Sequence, residues 1–271
     1  MKGIVLHSVV PVRAEAREGA EQTTQLLFAE TVNVQRDNVQ STKANQWVYI
    51  KSDSDGQEGW CDSKMITILS KEEEKQVLAQ ERRARVCMPM TYAVSENNGQ
   101  TIPLSLGTIL PDYKDGRFSI LGVGFRIDPN AVAAEPLELN EHNLLQVCRF
   151  MLNVPYLWGG RNAMGMDCSG FVQQVMSIFG IALKRNAGEQ AKQGRKIKYN
   201  DIQAGDICLF DHKDGCVSHV GIAIDKQRII HCSGRVKVEQ LTEEGIVSAE
   251  RGGLTHNLLF PRRLEAVRAA Q

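Results

Sequence analysis

The chain carries no excess charge of either sign. Its 271 residues hold 32 Lys and Arg against 32 Asp and Glu. That balance lacks the basic surplus of a nucleic-acid-binding protein and leaves room only for a local patch. No stretch comes near the roughly eighteen apolar residues that cross a bilayer. The opening MKGIVLHSVVPVRAEAREGAE has a short apolar run broken by His7, Ser8 and Pro11, and no clean cleavage site. It is therefore not a signal peptide, and with Met1 as the native start a cytoplasmic protein is expected. Cysteines fall at 61, 87, 148, 168, 208, 216 and 232, an odd number without paired CxxC spacing. They form no disulfide framework and fit reduced thiols. Phosphate-cradling glycine loops are missing too, since GVGFRI lacks the third glycine and the helix of a dinucleotide fingerprint.

What is present changes texture along the chain. Residues 1–70 contain VVPVRAE, TTQLLFAETVNVQ, QWVYIKS and GWCDSKMITI, rich in β-branched and aromatic residues and separated by DSDG and NVQSTKANQ. This predicts a small all-β barrel. KEEEKQVLAQERRA (71–84) reads as a solvated helical connector. A second short-strand region follows to about 138, with LSLGTILP and the turns ENNG and YKDG. Corners at LFAE and SLGT suggest an internal repeat of the first region. From 139 to 271 the pattern turns to helices and then strands, an α+β signature. NEHNLLQVCRFML has helical spacing with Asn140 as N-cap, and Pro155 ends it. SGFVQQVMSIFG is a second helix closed by Gly180. RNAGEQAKQG is a short third one, with Asn186 and Glu189 at capping-box spacing. DICLFDH, SHVGIAID, RIIHCSG and RVKVEQL then read as strands.

Cys168 lies in DCSG, at the start of the second helix and behind the glycine-rich GGRNAMGM. Unpaired N–H groups and the helix dipole at that position favour a thiolate. A nucleophilic cysteine needs a base. His219 and His231 sit on two consecutive strands joined by a short turn, which can place both on one face beside the cysteine helix. Nucleophile, base and orienter would then be Cys168, His219 and His231. Taken singly, a helix-start cysteine is more often a packed small residue than a nucleophile, and a strand histidine is more often structural. Their order and spacing together favour a thiol hydrolase or acyltransferase. A zinc cluster of His212, Cys216, His219 and Cys232 is disfavoured, because HKDGCVSH reads as strand, turn and strand. No metal or cofactor is called for.

At PYLWGG (155–160), DCSGFVQ (167–173), AGDICLF (204–210), SHVGIAI (218–224) and RIIHCSG (228–234) the sequence resembles the NlpC/P60 cysteine peptidases. The likeness spans about half the chain and implies a papain-like core. QWVYIKSDSDGQEGW resembles a strand pair of bacterial SH3 (SH3b) barrels. Two SH3b-like domains, 1–70 and 71–138, would then precede a catalytic domain over 139–271. The YkfC-like branch implies hydrolysis of the γ-D-glutamyl–diamino acid bond in a murein peptide, L-Ala-γ-D-Glu-diamino acid, during recycling.

The resemblance also implies site roles. Cys168 would attack, His219 would move the proton and His231 would orient it. Tyr156 would help the Cys168 N–H hold the oxyanion. Asp167 would hold the L-Ala ammonium, Ser169 the D-Glu backbone and Arg185 the D-Glu carboxylate. Glu21, from the first barrel, is the candidate acid closing the amine pocket. Ala187 replaces a serine or threonine common in the family, and Gln57, with Trp60 nearby, stands where a tyrosine is expected. The alternatives are an acyltransferase or amidase on the same core, a redox-sensing thiol at Cys168, and a non-catalytic murein-peptide-binding module. Neither oligomeric state nor the choice between diaminopimelate and lysine is legible.

Overall fold

The computed structural model describes residues 1–41, 46–211 and 215–265. The centre of the NVQSTKANQ turn (42–45) and His212 of the zinc alternative lie outside the described residues. The chain divides into two compact units, Met1–Pro136 and Leu137–Gln271.

In the first unit the predicted repeat becomes visible as topology. Strands Gln22–Leu27, Val9–Arg13, Glu58–Asp62 and Gln46–Ser52 lie side by side in that order within a larger antiparallel sheet. Thr101–Ser105, Met90–Ser95, Val123–Ile127 and Arg117–Ile120 reproduce that order in a second sheet. The LFAE and SLGT corners match in detail. Ala29 (φ 65°) and Gly107 (φ 82°) both adopt left-handed backbone. Their N–H groups donate to the carbonyls of Val5 (2.8 Å) and Val86 (2.9 Å), whose own N–H groups return bonds to Glu30 and Thr108. Asp62 and Asp128 then cap equivalent 3-10 turns. Glycine meets the positive φ at one corner without strain, whereas alanine carries a Cβ penalty at the other.

Between the sheets, Lys71–Ala79 forms the expected helix. Ser70 and Glu73 close a capping box, and Glu72, Glu73 and Glu74 sit at its positive end. Its Val77 joins a core of Phe28, Leu104, Leu110, Phe118 and Phe125, in which the Phe28 ring meets Phe118 edge-on at 6.1 Å. The two β segments thus share apolar surface within one unit.

The second unit follows the helices-then-strands order. Asn140 caps Glu141–Cys148 by accepting the Asn143 N–H at 2.9 Å, and a 3-10 turn, Arg149–Met151, follows. The capping box expected at Asn186 does not form. The Ala187–Gln190 turn is so short that the Asn186 carbonyl itself takes the N–H groups of Glu189 and Gln190.

Antiparallel strands then run in the order Arg195–Lys196, Gly253–Arg263, Ile207–Asp211, His219–Ala223, Arg228–Ser233, Arg235–Leu241, Gly245–Ser248. The last of these also pairs with Gly253–Arg263, so six strands close on themselves. One face carries a core of Cys208, Phe210, Ala223, Ile229, Leu241 and Ile246. Side chains alternate along a strand, and Gly221 pairs with His231 while Ile229 pairs with Glu239. His219, His231 and Glu239 therefore share that face with the apolar core.

Candidate active site

The site begins where the glycine pair Gly159–Gly160 meets Gly170 of the helix start. Helix Cys168–Ile178 starts at its N-cap Asp167, whose Oδ1 accepts the Gly170 N–H at 2.7 Å. A Cβ on Gly170 would stand 2.3 Å from the Gly160 carbonyl oxygen, so only glycine lets the helix start lie on the 159–160 loop. Gly159, at φ 72°, aims its N–H at Asp167 Oδ2, 2.9 Å away. The GG and DCSG motifs are thus the two halves of one backbone contact, and it fixes where Cys168 stands.

Cys168 is buried, 7% exposed. Its thiol is pushed up to about 11, chiefly by burial and next by the Asp167 carboxylate. The N–H groups of Val220 and Ser169 and the Arg185 guanidinium act the other way. This corrects the expectation of a thiolate at the helix start. The dipole is already engaged by Asp167, and desolvation outweighs what remains. Burial and the Asp167 carboxylate thus favour the neutral thiol. The Val220 N–H within its reach belongs to the residue after His219, on a strand against which the cysteine helix packs.

The histidines are hydrogen-bonded in series. His219 Nε2 lies 2.9 Å from His231 Nδ1, and His231 Nε2 lies 2.8 Å from Glu239 Oε2. His231 is fully buried and His219 nearly so. Gly221 makes the diagonal possible, because a Cβ there would come within 2.8 Å of His231 Cβ. The His256 ring, on the Gly253–Arg263 strand, packs 4.3 Å from the His219 ring with a 31° tilt. Glu239 and His256 are site residues that sequence reasoning missed. Glu239 sits eight residues after His231 in an alternating strand, and its pairing register was the only available signal.

Burial works against ionisation of Glu239. The neighbouring His231, Ser248 and Lys237 nevertheless hold its carboxyl down at about 2. Tyr156 lies close enough to Cys168, Asp167 and Cys232 to feel their charge. Burial and those neighbours push its hydroxyl up, so it remains a donor. Cys232 donates its S–H to the Met166 carbonyl at 3.1 Å, while Cys216, also in the zinc alternative, is exposed.

Asp167, Ser169 and Arg185 bind one another. Arg185, 1% exposed, meets Asp167 Oδ1 and Oδ2 at 2.9 and 2.5 Å, and Ser169 Oγ at 3.0 Å. The Ser169 hydroxyl donates to Asp167 Oδ1 at 3.2 Å. With the Gly159 and Gly170 N–H groups, the Asp167 carboxylate accepts five hydrogen bonds from within the protein. Glu21 belongs to the first unit, where it is exposed and its carbonyl accepts the Ala14 N–H. Trp60, in the same unit, packs edge-on against Tyr49 at 5.2 Å. The Gln57 N–H there bonds Asp55 Oδ1 at 2.9 Å.

The NlpC/P60 family model matches residues 153–251, the stretch that holds Cys168, His219, His231 and Glu239, and a bacterial SH3 domain model matches 8–67. The chain carries an NlpC/P60 domain behind a bacterial SH3 domain. Among curated relatives, a γ-D-glutamyl-L-lysine dipeptidyl-peptidase of Bacillus subtilis (strain 168) is 28% identical over 222 residues, 77% of this chain and 71% of the relative. A protein of the same name from Bacillus cereus is 33% identical over 91 residues, 33% of this chain and 27% of the relative. A crystal structure of an NlpC/P60 family protein from Bacillus cereus superposes with a TM-score of 0.78 at 19% identity, covering 97% of this chain and 99% of that one. At that identity it attests the fold, an NlpC/P60 domain with an N-terminal SH3b domain.

Proposed function

We propose that this protein is a cysteine endopeptidase that hydrolyses the γ-D-glutamyl–diamino acid bond of peptidoglycan peptides. One observation carries the reading: His219, on the strand against which the Cys168 helix packs, has Nε2 2.9 Å from His231 Nδ1. The relatives named as γ-D-glutamyl-L-lysine dipeptidyl-peptidases supply the substrate class.

Because the neutral thiol is favoured, its proton passes to His219 as sulfur attacks the γ-carbonyl of D-Glu. The Tyr156 hydroxyl and the Cys168 N–H receive the oxyanion. His219 returns the proton to the departing amine of the diamino acid, leaving a thioester. Water then attacks the thioester, His219 takes its proton, and the thiol is restored as the D-Glu carboxylate leaves. His231 orients His219 throughout.

The substrate in this reading is L-Ala-γ-D-Glu-diamino acid with a free amine, in the reuse of released wall peptides inside the cell. Seven cysteines, an odd number without paired spacing, support a reducing compartment. No helix among the described residues is long and apolar enough to cross a membrane. Asp167, Ser169 and Arg185, already bonded to one another, enter as one preformed group that reads the polar end of the peptide. The domain assignment in this proposal is SH3b-like over 1–70 and 71–138 and catalytic over 139–271. The matching strand orders of the two β segments support it.

The test is mass spectrometry of products from L-Ala-γ-D-Glu-meso-diaminopimelate and its N-acetylated counterpart. Release of L-Ala-D-Glu from the free peptide alone, lost in Cys168→Ala, is expected. Cleavage of both peptides would remove the amine-reading pocket. Cleavage of neither by folded protein would move the function to acyl transfer or to peptide binding.

A further inference from the structure

We infer that Glu239 is a positioning residue that sets the proton on the far side of both imidazoles, so that His219 presents a bare Nδ1 to Cys168. The inference rests on the reading of this site as a thiol hydrolase.

The argument is a chain of donor and acceptor choices. An ionised carboxylate only accepts, so His231 Nε2, 2.8 Å from Glu239 Oε2, must carry a hydrogen. A neutral His231 then has a bare Nδ1. His219 Nε2, 2.9 Å away, must donate to it. That leaves the lone pair of a neutral His219 on Nδ1, the state required of a base. With a neutral group in place of Glu239, two neutral histidines could satisfy the same bond in either direction, and one direction places the proton where the thiol needs a lone pair. Glu239 removes the ambiguity.

The surroundings hold Glu239 in that role. Its other oxygen, Oε1, lies 3.2 Å from the Lys237 ammonium, and Lys237 also reaches Glu250 at 3.3 Å. The Glu239 side chain is 6% exposed and that of Lys237 13%. Lys237 can only donate, which determines the outcome of one substitution. In Glu239→Gln, the amide oxygen turns toward Lys237 and the NH2 group toward His231 Nε2. His231 must then accept there and donate from Nδ1, so His219 accepts at Nε2 and carries its hydrogen on Nδ1. The relay is inverted with little change in shape.

The experiment uses the full chain with 15N-labelled histidine and reads the imidazole tautomers by NMR. It also measures iodoacetamide alkylation of Cys168 and hydrolysis of L-Ala-γ-D-Glu-meso-diaminopimelate. Wild type should show hydrogen on Nε2 of both His219 and His231. Glu239→Gln should move it to Nδ1 of both, slow alkylation, and lower kcat by on the order of 100-fold with KM unchanged. Glu239→Asp should recover part of the rate. Adding Lys237→Met to Glu239→Gln should also recover part, since the amide is then free to turn its oxygen back; a merely structural role predicts further loss.

Wild-type protein with hydrogen on His231 Nδ1, or unchanged tautomers in folded Glu239→Gln, overturns the inference. The wild-type reading decides it even if the variant does not fold. Should the tautomers and alkylation behave as stated while no murein peptide is cleaved, Glu239 keeps its role and the substrate reading fails.

Discussion

Gly221→Ala tests the geometry of the site through a single methyl group. The added Cβ would stand 2.8 Å from His231 Cβ and 2.8 and 3.0 Å from Cδ1 and Cγ1 of Ile229. Carbon atoms rest at roughly 3.5 Å or more, so the His219–Ala223 and Arg228–Ser233 strands must part, or His231 must move, by about 0.7 Å. Overpacking of this kind costs about 1–3 kcal/mol. Stiffening of the unfolded chain offsets about 0.5 kcal/mol of it. For a unit of this size 1 kcal/mol corresponds to about 3–4 °C, so its melting transition should fall by roughly 2–10 °C. Activity should fall further than stability suggests. A displacement near 1 Å in a catalytic group costs on the order of 100-fold, so kcat should drop by about 10-fold or more with KM little changed. Scanning calorimetry and steady-state hydrolysis measure the two effects separately. Ile229→Val removes one of the crowded carbons, so the double variant should be less destabilised than the sum of the single ones. It should not recover kcat, because the His231 contact remains. Gly188→Ala is the control, because nothing lies within 4 Å of where its methyl group would stand. Wild-type melting and turnover in Gly221→Ala would refute the account of how these strands bring the histidines together.

Three further outcomes follow from the same geometry. Cys168→Ala should abolish hydrolysis and leave circular dichroism and melting close to wild type; residual turnover would remove Cys168 as nucleophile. Asp167→Asn strips the buried Arg185 of its counter-charge and should destabilise the second unit by about 3–5 kcal/mol in urea unfolding. A reading role for Asp167 adds a loss confined to peptides with a free amine, so equal losses on free and acetylated peptides would limit it to holding the helix start. Glu239 is held at about 2 against an ordinary 4.5, so the unfolded chain takes up its proton first as pH falls. Its contribution to stability is complete above about 4.5 and lost between there and 2. The difference in urea midpoint between wild type and Glu239→Gln should therefore shrink from pH 6 to pH 3, and a constant difference would contradict the pairing.

Much of this arrangement was legible in the sequence because local chemistry enforces it. Asp167 before a helical run, Gly170 in its first turn and Gly159–Gly160 behind it are requirements of one backbone contact, and each appears as a motif residue. His219 and His231 could be paired because the turn between their strands is short. The protonation of Cys168 was misjudged for a physical reason. Helix polarity is readable locally, whereas the burial and the nearby carboxylate that outweigh it depend on the assembled unit. Arg185 shows the same limit: the resemblance gives it the D-Glu carboxylate, and only the assembled unit brings its guanidinium onto the Asp167 carboxylate. Glu239 and His256 were invisible for a different reason. Both lie in alternating strands where half of all positions face inward, and only the register across three strands decides which ones do. The polar series from Glu239 to His219 is therefore a property of strand register. Its members are scattered through the chain as ordinary strand residues, and the paired strands give them a common direction for the proton.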